Sequence, residues 1–353
     1  MDFIMGPRRE TMRSLIKMLL LMVMVGVGHV AIADDLEDGV AAAQKGDFAT
    51  ALRLWVPLAE IGDAKAQSIL GAMYSEGQGV AQDHKTAVKW YTLAAEQGLA
   101  QAQYNLGVIY YNGQGVAQDH KTAVKWFTLA AEQGLALAQS SLGVMYEQGK
   151  GVAQDYKAAV KWYTLAAEQG LAQAQYNLGV MYEQGRGVAQ DYKAAVKWFT
   201  RAAEQALALA QSNLGVMYAQ GKGVAQDYKT SVKWYTLAAE QGHALGQLNL
   251  GLMYDNGRGV AQDYKSAIKW YTLAAEQGNA SAQSNLGVMY AQGQGVAQDY
   301  VKAHMWFNIA AIDGDADVIK NRDIVAKKMS SSQIAEAQKA ASRCIKQNFK
   351  NCD

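Results

Sequence analysis

Residues 172–207, AQAQYNLGVMYEQGRGVAQDYKAAVKWFTRAAEQAL, decide the fold. In their first half, apolar residues recur at i, i+4, i+7 and i+8, namely Ala174, Leu178, Met181 and Tyr182. This spacing is typical of one stripe of an α-helix, and the second half shows it again from Tyr192 to Ala202. Glycines at 185 and 187 suit a helix stop, and Asp191 is a suitable N-cap for the second helix. The stretch therefore predicts a helix-turn-helix without strands.

This stretch is one of seven copies of a 36-residue repeat. The tryptophans follow the same period, with every spacing 36 except a first interval of 35: Trp55, Trp90, Trp126, Trp162, Trp198, Trp234, Trp270 and Trp306. The repeats are residues 64–99, 100–135, 136–171, 172–207, 208–243, 244–279 and 280–315. A fixed period of this size indicates helix pairs that bury their apolar faces against their neighbours. We predict an all-α, right-handed α/α superhelical solenoid.

Composition limits the classes of function. The 353 residues carry a formal net charge of +1, which argues against binding nucleic acid by bulk electrostatics. Two cysteines exclude a disulfide-dense scaffold. The 34 glycines and 2 prolines indicate a chain that turns on glycine.

Glycine marks two repeated positions that need a physical reason. One lies inside the first helix, where glycine is unfavourable by up to about 1 kcal/mol, and we expect the large tryptophan of the second helix to pack over the gap. The other ends the second helix, at Gly98, Gly134, Gly170, Gly242, Gly278 and Gly314. The fourth repeat has Ala206 there, which costs about 1 kcal/mol if its φ is positive.

The N-terminal residues 1–33 are typical of a secretory signal peptide. Basic residues precede an apolar run over 18–27, and Ala31-Ile32-Ala33 provides the small-x-small pattern of a cleavage site. We predict cleavage between Ala33 and Asp34 and a periplasmic or secreted protein without a stable membrane span after signal removal. The run is shorter than the roughly 20 residues that span a bilayer. Translation from Met1 or from Met12 remains open.

The array is flanked by segments that do not follow the repeat. Residues 34–63 are predicted to form a degenerate N-terminal capping helix pair, whose second helix Pro57 kinks or shortens. In the seventh repeat the outward stripe of the second helix becomes apolar, with Val301, Met305, Asn308 and Ile312. Residues 316–353 are predicted to cover it as a C-terminal cap, since repeat arrays need atypical ends. Cys344 and Cys352 form a disulfide in our interpretation, with free thiols as the alternative.

The pattern A-x-x-L-G-x-M-Y-x-x-G-x-G-V-x-Q-D-Y-x-x-A-x-x-W-x-x-x-A-A-E-Q-G resembles the Sel-1-like repeat family, which is related to the tetratricopeptide solenoids. The resemblance covers residues 64–315. It implies a non-enzymatic scaffold that binds unidentified partner proteins, needs no cofactor and is a monomer. In tetratricopeptide relatives, the first helices line a concave groove that holds peptides.

Most variation between repeats falls on one arc of the first helix, and this arc supplies the candidate binding residues. They are Tyr104, Tyr111, Tyr176, Leu248, Asn105, Asn177, Asn213, Asn249 and Asn285. A line of amides can both donate to and accept from an extended peptide backbone. The alternatives are that the asparagines satisfy a neighbouring helix and that the tyrosines pack between repeats.

The sequence contains no set of residues that predicts catalysis or metal binding. The histidines lack metal-ligand spacing. Ser266-Ala267-Ile268-Lys269 matches the S-x-x-K motif of penicillin-binding enzymes, which cysteine-rich members of the family have been described as resembling. The per-repeat cysteine pairs of those members are missing here, so a β-lactamase is the disfavoured alternative. A purely structural spacer is the other.

Overall fold

The computed structural model describes residues 30–350 and 352. Eighteen α-helices and one 3₁₀ turn occupy them, and they contain no strand: α1 Val30–Gln44, α2 Phe48–Glu60, α3 Ala64–Glu76, α4 His84–Glu96, α5 Ala100–Asn112, α6 His120–Glu132, α7 Ala136–Gln148, α8 Tyr156–Glu168, α9 Ala172–Gln184, α10 Tyr192–Glu204, α11 Ala208–Gln220, α12 Tyr228–Glu240, α13 Ala244–Asn256, α14 Tyr264–Ala275, α15 Ala280–Gln292, α16 Tyr300–Ala310, the turn Ala311–Asp313, α17 Ala316–Ala326 and α18 Ser331–Lys346. The apolar run of the predicted signal peptide lies outside the described residues.

Each 36-residue repeat forms one helix pair, so the predicted all-α solenoid is confirmed. The chain divides into two compact blocks. Over the described residues, the N-terminal block comprises residues 30–174 with Arg186–Val188, and the C-terminal block comprises Gln175–Gly185 with residues 189–350 and 352. In the N-terminal block, each of the helices α1 to α7 packs against the next one along the chain. In the C-terminal block, α10 to α16 pack in the same way, and α17 and α18 both pack on α16.

Helix ends follow the predicted capping chemistry. In the third repeat, α7 ends at Gly149 with φ +67°, and the Asp155 carboxylate accepts hydrogen bonds from the backbone N–H groups of Lys157 and Ala158 at 2.9 and 3.1 Å. These bonds satisfy amides that have no partner inside the helix. The expected shortening of α2 by Pro57 is wrong, because α2 has 13 residues, as α3 does.

The ring over each first-helix glycine belongs to the residue after the tryptophan, and this corrects the expectation from the sequence. A Cβ added to Gly143 would lie 2.6 Å from the Tyr163 ring, and one on Gly107 would lie 2.7 Å from the Phe127 ring. Trp126 instead packs against the buried cluster that α4 and α5 form. Successive helical residues point about 100° apart, so only one of two adjacent aromatics can face the glycine. The degenerate pair differs, since Trp55 itself covers Gly39.

Buried glutamines link consecutive helices. The Gln139 side chain is 4% exposed, and its Nε2 donates to the Ala131 carbonyl at 3.2 Å. The Gln139 Oε1 accepts a 2.8 Å hydrogen bond from Nε2 of Gln169. The Gln169 Nε2 also donates to the Gly134 carbonyl at 2.9 Å. Gln139 therefore joins the second helix of one repeat to both helices of the next. Equivalent residues donate in the same way in both blocks: Gln67, Gln103, Gln211, Gln247 and Gln283.

The C-terminal segment packs on the last repeat. Met305 is 2% exposed and lies in one buried cluster with Ala337 and Ala341 of α18, whereas Ile312 stays 58% exposed. Ser330 and Gln333 form a capping box at the start of α18. Cys344 and Cys352 are joined in a disulfide, with their Cα atoms 4.8 Å apart. The tail then reaches the sixth repeat, where Nζ of Lys350 lies 3.7 Å from Oε2 of Glu276.

Candidate partner-binding face

The variable face is the surface formed by the second, fifth, sixth, ninth and twelfth residues of each repeat's first helix. In the N-terminal block it runs over α3, α5 and α7. In the C-terminal block it runs over residues 175–184 of α9 and over α11, α13 and α15. All nine candidate residues lie on these helices.

Tyr104 and Tyr176 are partly buried because each packs on a phenylalanine. Their rings lie 5.7 Å from those of Phe127 and Phe199, tilted by 40° and 39°. Burial raises the pKa of Tyr104, and a hydrogen bond to Ser141 opposes the rise. In repeats where tyrosine instead of phenylalanine follows the tryptophan of the second helix, the fifth residue of the first helix is usually serine. Examples are Ser68, Ser140 and Ser212. The two tyrosines therefore fill space inside the fold as well as lining its surface.

Tyr111 and Leu248 are not surface residues. Tyr111 is 4% exposed, its ring lies 5.0 Å from that of His120, and its hydroxyl accepts a 2.9 Å hydrogen bond from Nζ of Lys150. Leu248 is 8% exposed and belongs to a cluster that contains Tyr271. Neither side chain offers a partner enough surface to act as an anchor, so we remove both from the candidates.

Two of the asparagines act within the fold. Asn105 accepts from Nε2 of Gln101 at 3.1 Å and hydrogen-bonds the Tyr91 hydroxyl of the preceding repeat. Asn285 hydrogen-bonds the Tyr271 hydroxyl, which donates to the Asp255 carboxylate at 3.1 Å. Burial and the Asp255 charge hold the pKa of Tyr271 well above its usual range. Asn177 also interacts within the chain.

Asn213 and Asn249 differ from the other members of the line. Both side chains are partly exposed. Neither amide hydrogen-bonds any residue within 30–350 and 352, although buried and half-buried amides normally find partners. They lie beside partly exposed apolar residues at the ninth position, Val216, Leu252 and Val288. The C-terminal block thus presents two free amides beside an apolar strip.

The twelfth position places carboxylates at one edge of the variable face. Glu147 accepts a 2.6 Å hydrogen bond from the Tyr163 hydroxyl. Glu183 has Phe199 where that tyrosine would be, and burial raises the pKa of its carboxyl, a rise that Lys222 opposes. We did not predict from the sequence these contacts between carboxylates at the twelfth position and residues of the second helix. Their only signal was the alternation of tyrosine and phenylalanine after the tryptophan.

The S-x-x-K residues are engaged in local structure. The Ser266 hydroxyl donates to the Asp263 carboxylate at 2.6 Å, and Nζ of Lys269 lies 5.2 Å from the centre of the Trp270 ring. The serine proton is thus held by a helix cap instead of by a general base.

Over residues 30–350 and 352, no group of three or more histidine, cysteine, aspartate or glutamate side chains could hold a metal ion. None of the helices in that part of the chain is long and apolar enough to cross a membrane.

The repeats match a known sequence family. The Sel1 repeat model matches residues 64–99, 100–135, 136–171, 172–207, 208–243, 244–279 and 280–315. The chain belongs to the Sel1 repeat family. These bounds coincide with the seven repeats seen in the sequence and with the helix pairs of the structure. No curated protein is significantly similar to this Sel1 repeat protein.

Two solved structures are similar to this Sel1 repeat protein over most of their length. One is c5321, described as a protective antigen present in uropathogenic Escherichia coli strains and displaying an SLR fold. It is 29% identical, with 96% of this chain and 95% of that chain covered and a TM-score of 0.57. The other is a Sel1 repeat protein from Oxalobacter formigenes. It is 32% identical, with 68% of this chain and 96% of that chain covered and a TM-score of 0.63.

Proposed function

We propose that this protein is a non-enzymatic scaffold that binds an extended segment of a partner protein on the variable face of α11, α13 and α15. Sel1 repeat proteins are protein-interaction scaffolds. The free amides of Asn213 and Asn249 carry the proposal. Each can donate to a peptide carbonyl and accept from a peptide N–H, which grips a backbone without reading its side chains.

The surroundings of the two amides favour an extended ligand. Val216 and Leu252 would receive apolar side chains from one edge of the segment, while Leu245, 51% exposed, would add an apolar contact at the other end of α13. Backbone clamps beside shallow apolar contacts give affinity with low sequence selectivity.

A peptide library displayed on phage, selected against the wild-type protein, tests the binding mode. We expect peptides selected on wild type to bind the double variant Asn213→Ala/Asn249→Ala about thirtyfold more weakly, since a loss of about 1 kcal/mol at each of the two amides adds to about 2 kcal/mol. Gln220→Ala/Gln292→Ala is the matched control, because both glutamines are exposed at the ends of α11 and α15. Equal affinity for the double variant and wild type would refute the amide clamp.

We also propose that the protein is exported and acts in the periplasm or outside the cell. The signal-like residues 1–33 support export, and so does the similarity to an antigen. The bond between Ala33 and Asp34 lies in α1, so cleavage there would leave most of that helix on the mature chain. Sequencing the N-terminus of the protein recovered from the envelope and medium should give Asp34. An intact N-terminus on a cytoplasmic product would exclude export.

A further inference from the structure

The second helices of the N-terminal block present a striped surface. At three positions, α2, α4, α6 and α8 each carry a cation, an apolar residue and a glutamate, and every one of these side chains is exposed. We call this surface the outer stripe: Arg53, Pro57 and Glu60; Lys89, Leu93 and Glu96; Lys125, Leu129 and Glu132; Lys161, Leu165 and Glu168. The degenerate pair α1–α2 keeps both charges of the stripe and has proline in place of leucine.

The charges of the outer stripe form no close ion pair within the described residues, although Arg53 and Lys89 act electrostatically on the cap carboxylates of Asp47 and Asp83. No carboxylate there lies within 4 Å of its cations, and Nζ of Lys125 and of Lys161 each sits 5.3 Å from the centre of the adjacent tryptophan ring instead. The leucines are 36–45% exposed, each between charges of opposite sign.

The glutamate at the end of each of these helices is not placed to stabilise its own helix. α4, α6 and α8 each follow an aspartate N-cap, but each has no basic residue in the last turn and ends on a glutamate. The helix macrodipole favours anions near the N-terminus and cations near the C-terminus. The N-cap aspartates agree with this preference and the stripe glutamates do not.

The spacing makes the outer stripe complementary to itself. With a rise of about 1.5 Å per residue, each lysine lies about 6 Å before the leucine along the helix, and each glutamate lies about 4.5 Å after it. A twofold axis along the row of leucines would therefore bring the lysine row of one molecule against the glutamate row of another. The same operation keeps each repeat opposite its own equivalent, as an isologous interface requires.

We propose that a second copy of this chain docks on the outer stripe of the N-terminal block. In the dimer, Leu129 of the two copies meet on the axis, and Lys125 of each copy faces Glu132 of the other. The C-terminal block lacks a continuous stripe, because Arg201 replaces the leucine in α10 and Lys350 approaches Glu276 at the end of α14. The variable face lies on the first helices, so the dimer leaves it uncovered.

Charge exchange provides the test. We expect sedimentation equilibrium of the full chain to show a monomer–dimer equilibrium at low ionic strength, which weakens as salt screens the ion pairs. Lys125→Glu should weaken the dimer about tenfold, because it creates two symmetric repulsions, and Glu132→Lys should do the same. The double variant Lys125→Glu/Glu132→Lys should restore the wild-type dimer, and so should an equimolar mixture of the two single variants.

Lys233→Glu in the C-terminal block is the matched control, and it should leave the dimer unchanged. A purely monomeric wild-type protein would overturn the proposal. So would a dimer that Lys125→Glu does not weaken, that the double variant does not restore, or that Lys233→Glu weakens equally. Peptide binding by the variable face is measured separately, so its failure would leave this result standing.

Discussion

Ala206 is a single residue that works against the fold. Its φ is +62°, whereas the equivalent position in other repeats is glycine with φ between +80° and +91°. A Cβ in this region costs roughly 1 kcal/mol. We expect Ala206→Gly to raise the free energy of unfolding by about 1 kcal/mol, measured by thermal unfolding. The reverse change, Gly242→Ala, should lower it by a similar amount, because a Cβ at Gly242 would meet nothing within 4 Å. An unchanged Ala206→Gly variant would contradict this account.

His243 is a helix cap that should respond to pH. Its Nδ1 accepts from the Gly246 N–H at 3.1 Å, and burial holds its pKa below the usual value. Since only the neutral ring accepts, the contribution is complete above about pH 6.5 and is lost as the pH falls from there through the folded-state pKa. Buried His304 has a lowered pKa too, also mainly through burial, and adds to the effect.

We expect the urea midpoint to fall between about pH 7.5 and about pH 5, and to fall less in His243→Asn. Asparagine does not titrate, and Asn279 caps α15 in the same way, accepting from Ala282 N–H at 2.9 Å. Staying above about pH 5 keeps the aspartate caps ionised. If His243→Asn shows the full wild-type decrease, His243 does not contribute to it.

The helices were predictable from the sequence because each has its own cap, stop and apolar stripe, and these are local signals. The aromatic ring that packs on each helical glycine could not be predicted from the sequence. Trp126 and Phe127 are adjacent large aromatic residues, and only tertiary packing decides which of them faces Gly107. The same holds for the asparagines: Asn105 and Asn213 occupy the same position of the repeat, yet only Asn105 hydrogen-bonds a tyrosine hydroxyl on the preceding helix. A buried glutamine at the fourth position of every repeat was a visible signal, since a polar residue recurred inside an apolar stripe.

The buried glutamines link consecutive helices. Replacing one should therefore lower the free energy of unfolding more than replacing a surface glutamine on the same helix. Gln139→Ala removes one donor and one acceptor from a buried site and leaves the Ala131 carbonyl without its side-chain partner. We expect a loss of about 2 kcal/mol in the free energy of unfolding, measured by denaturant titration. Gln148→Ala, on the exposed end of α7, is the control and should change it by less than about 0.5 kcal/mol. Equal effects of the two variants would mean that the link contributes nothing specific.

At the scale of the whole molecule, the array must end without exposing an apolar repeat face. In α16, Val301 and Met305 take the positions that lysines hold in the earlier repeats, and α18 covers them. We expect deletion of residues 316–353 to cause aggregation, seen by light scattering and size-exclusion chromatography, because it uncovers this patch. Restoring the pattern of the other repeats with Val301→Lys/Met305→Lys in the truncated chain should recover a soluble protein. If the truncated chain is soluble and as stable as the full chain, α17 and α18 are not a cap. If the lysine variant still aggregates, α18 holds the last repeat together in a way that covering these two side chains does not explain.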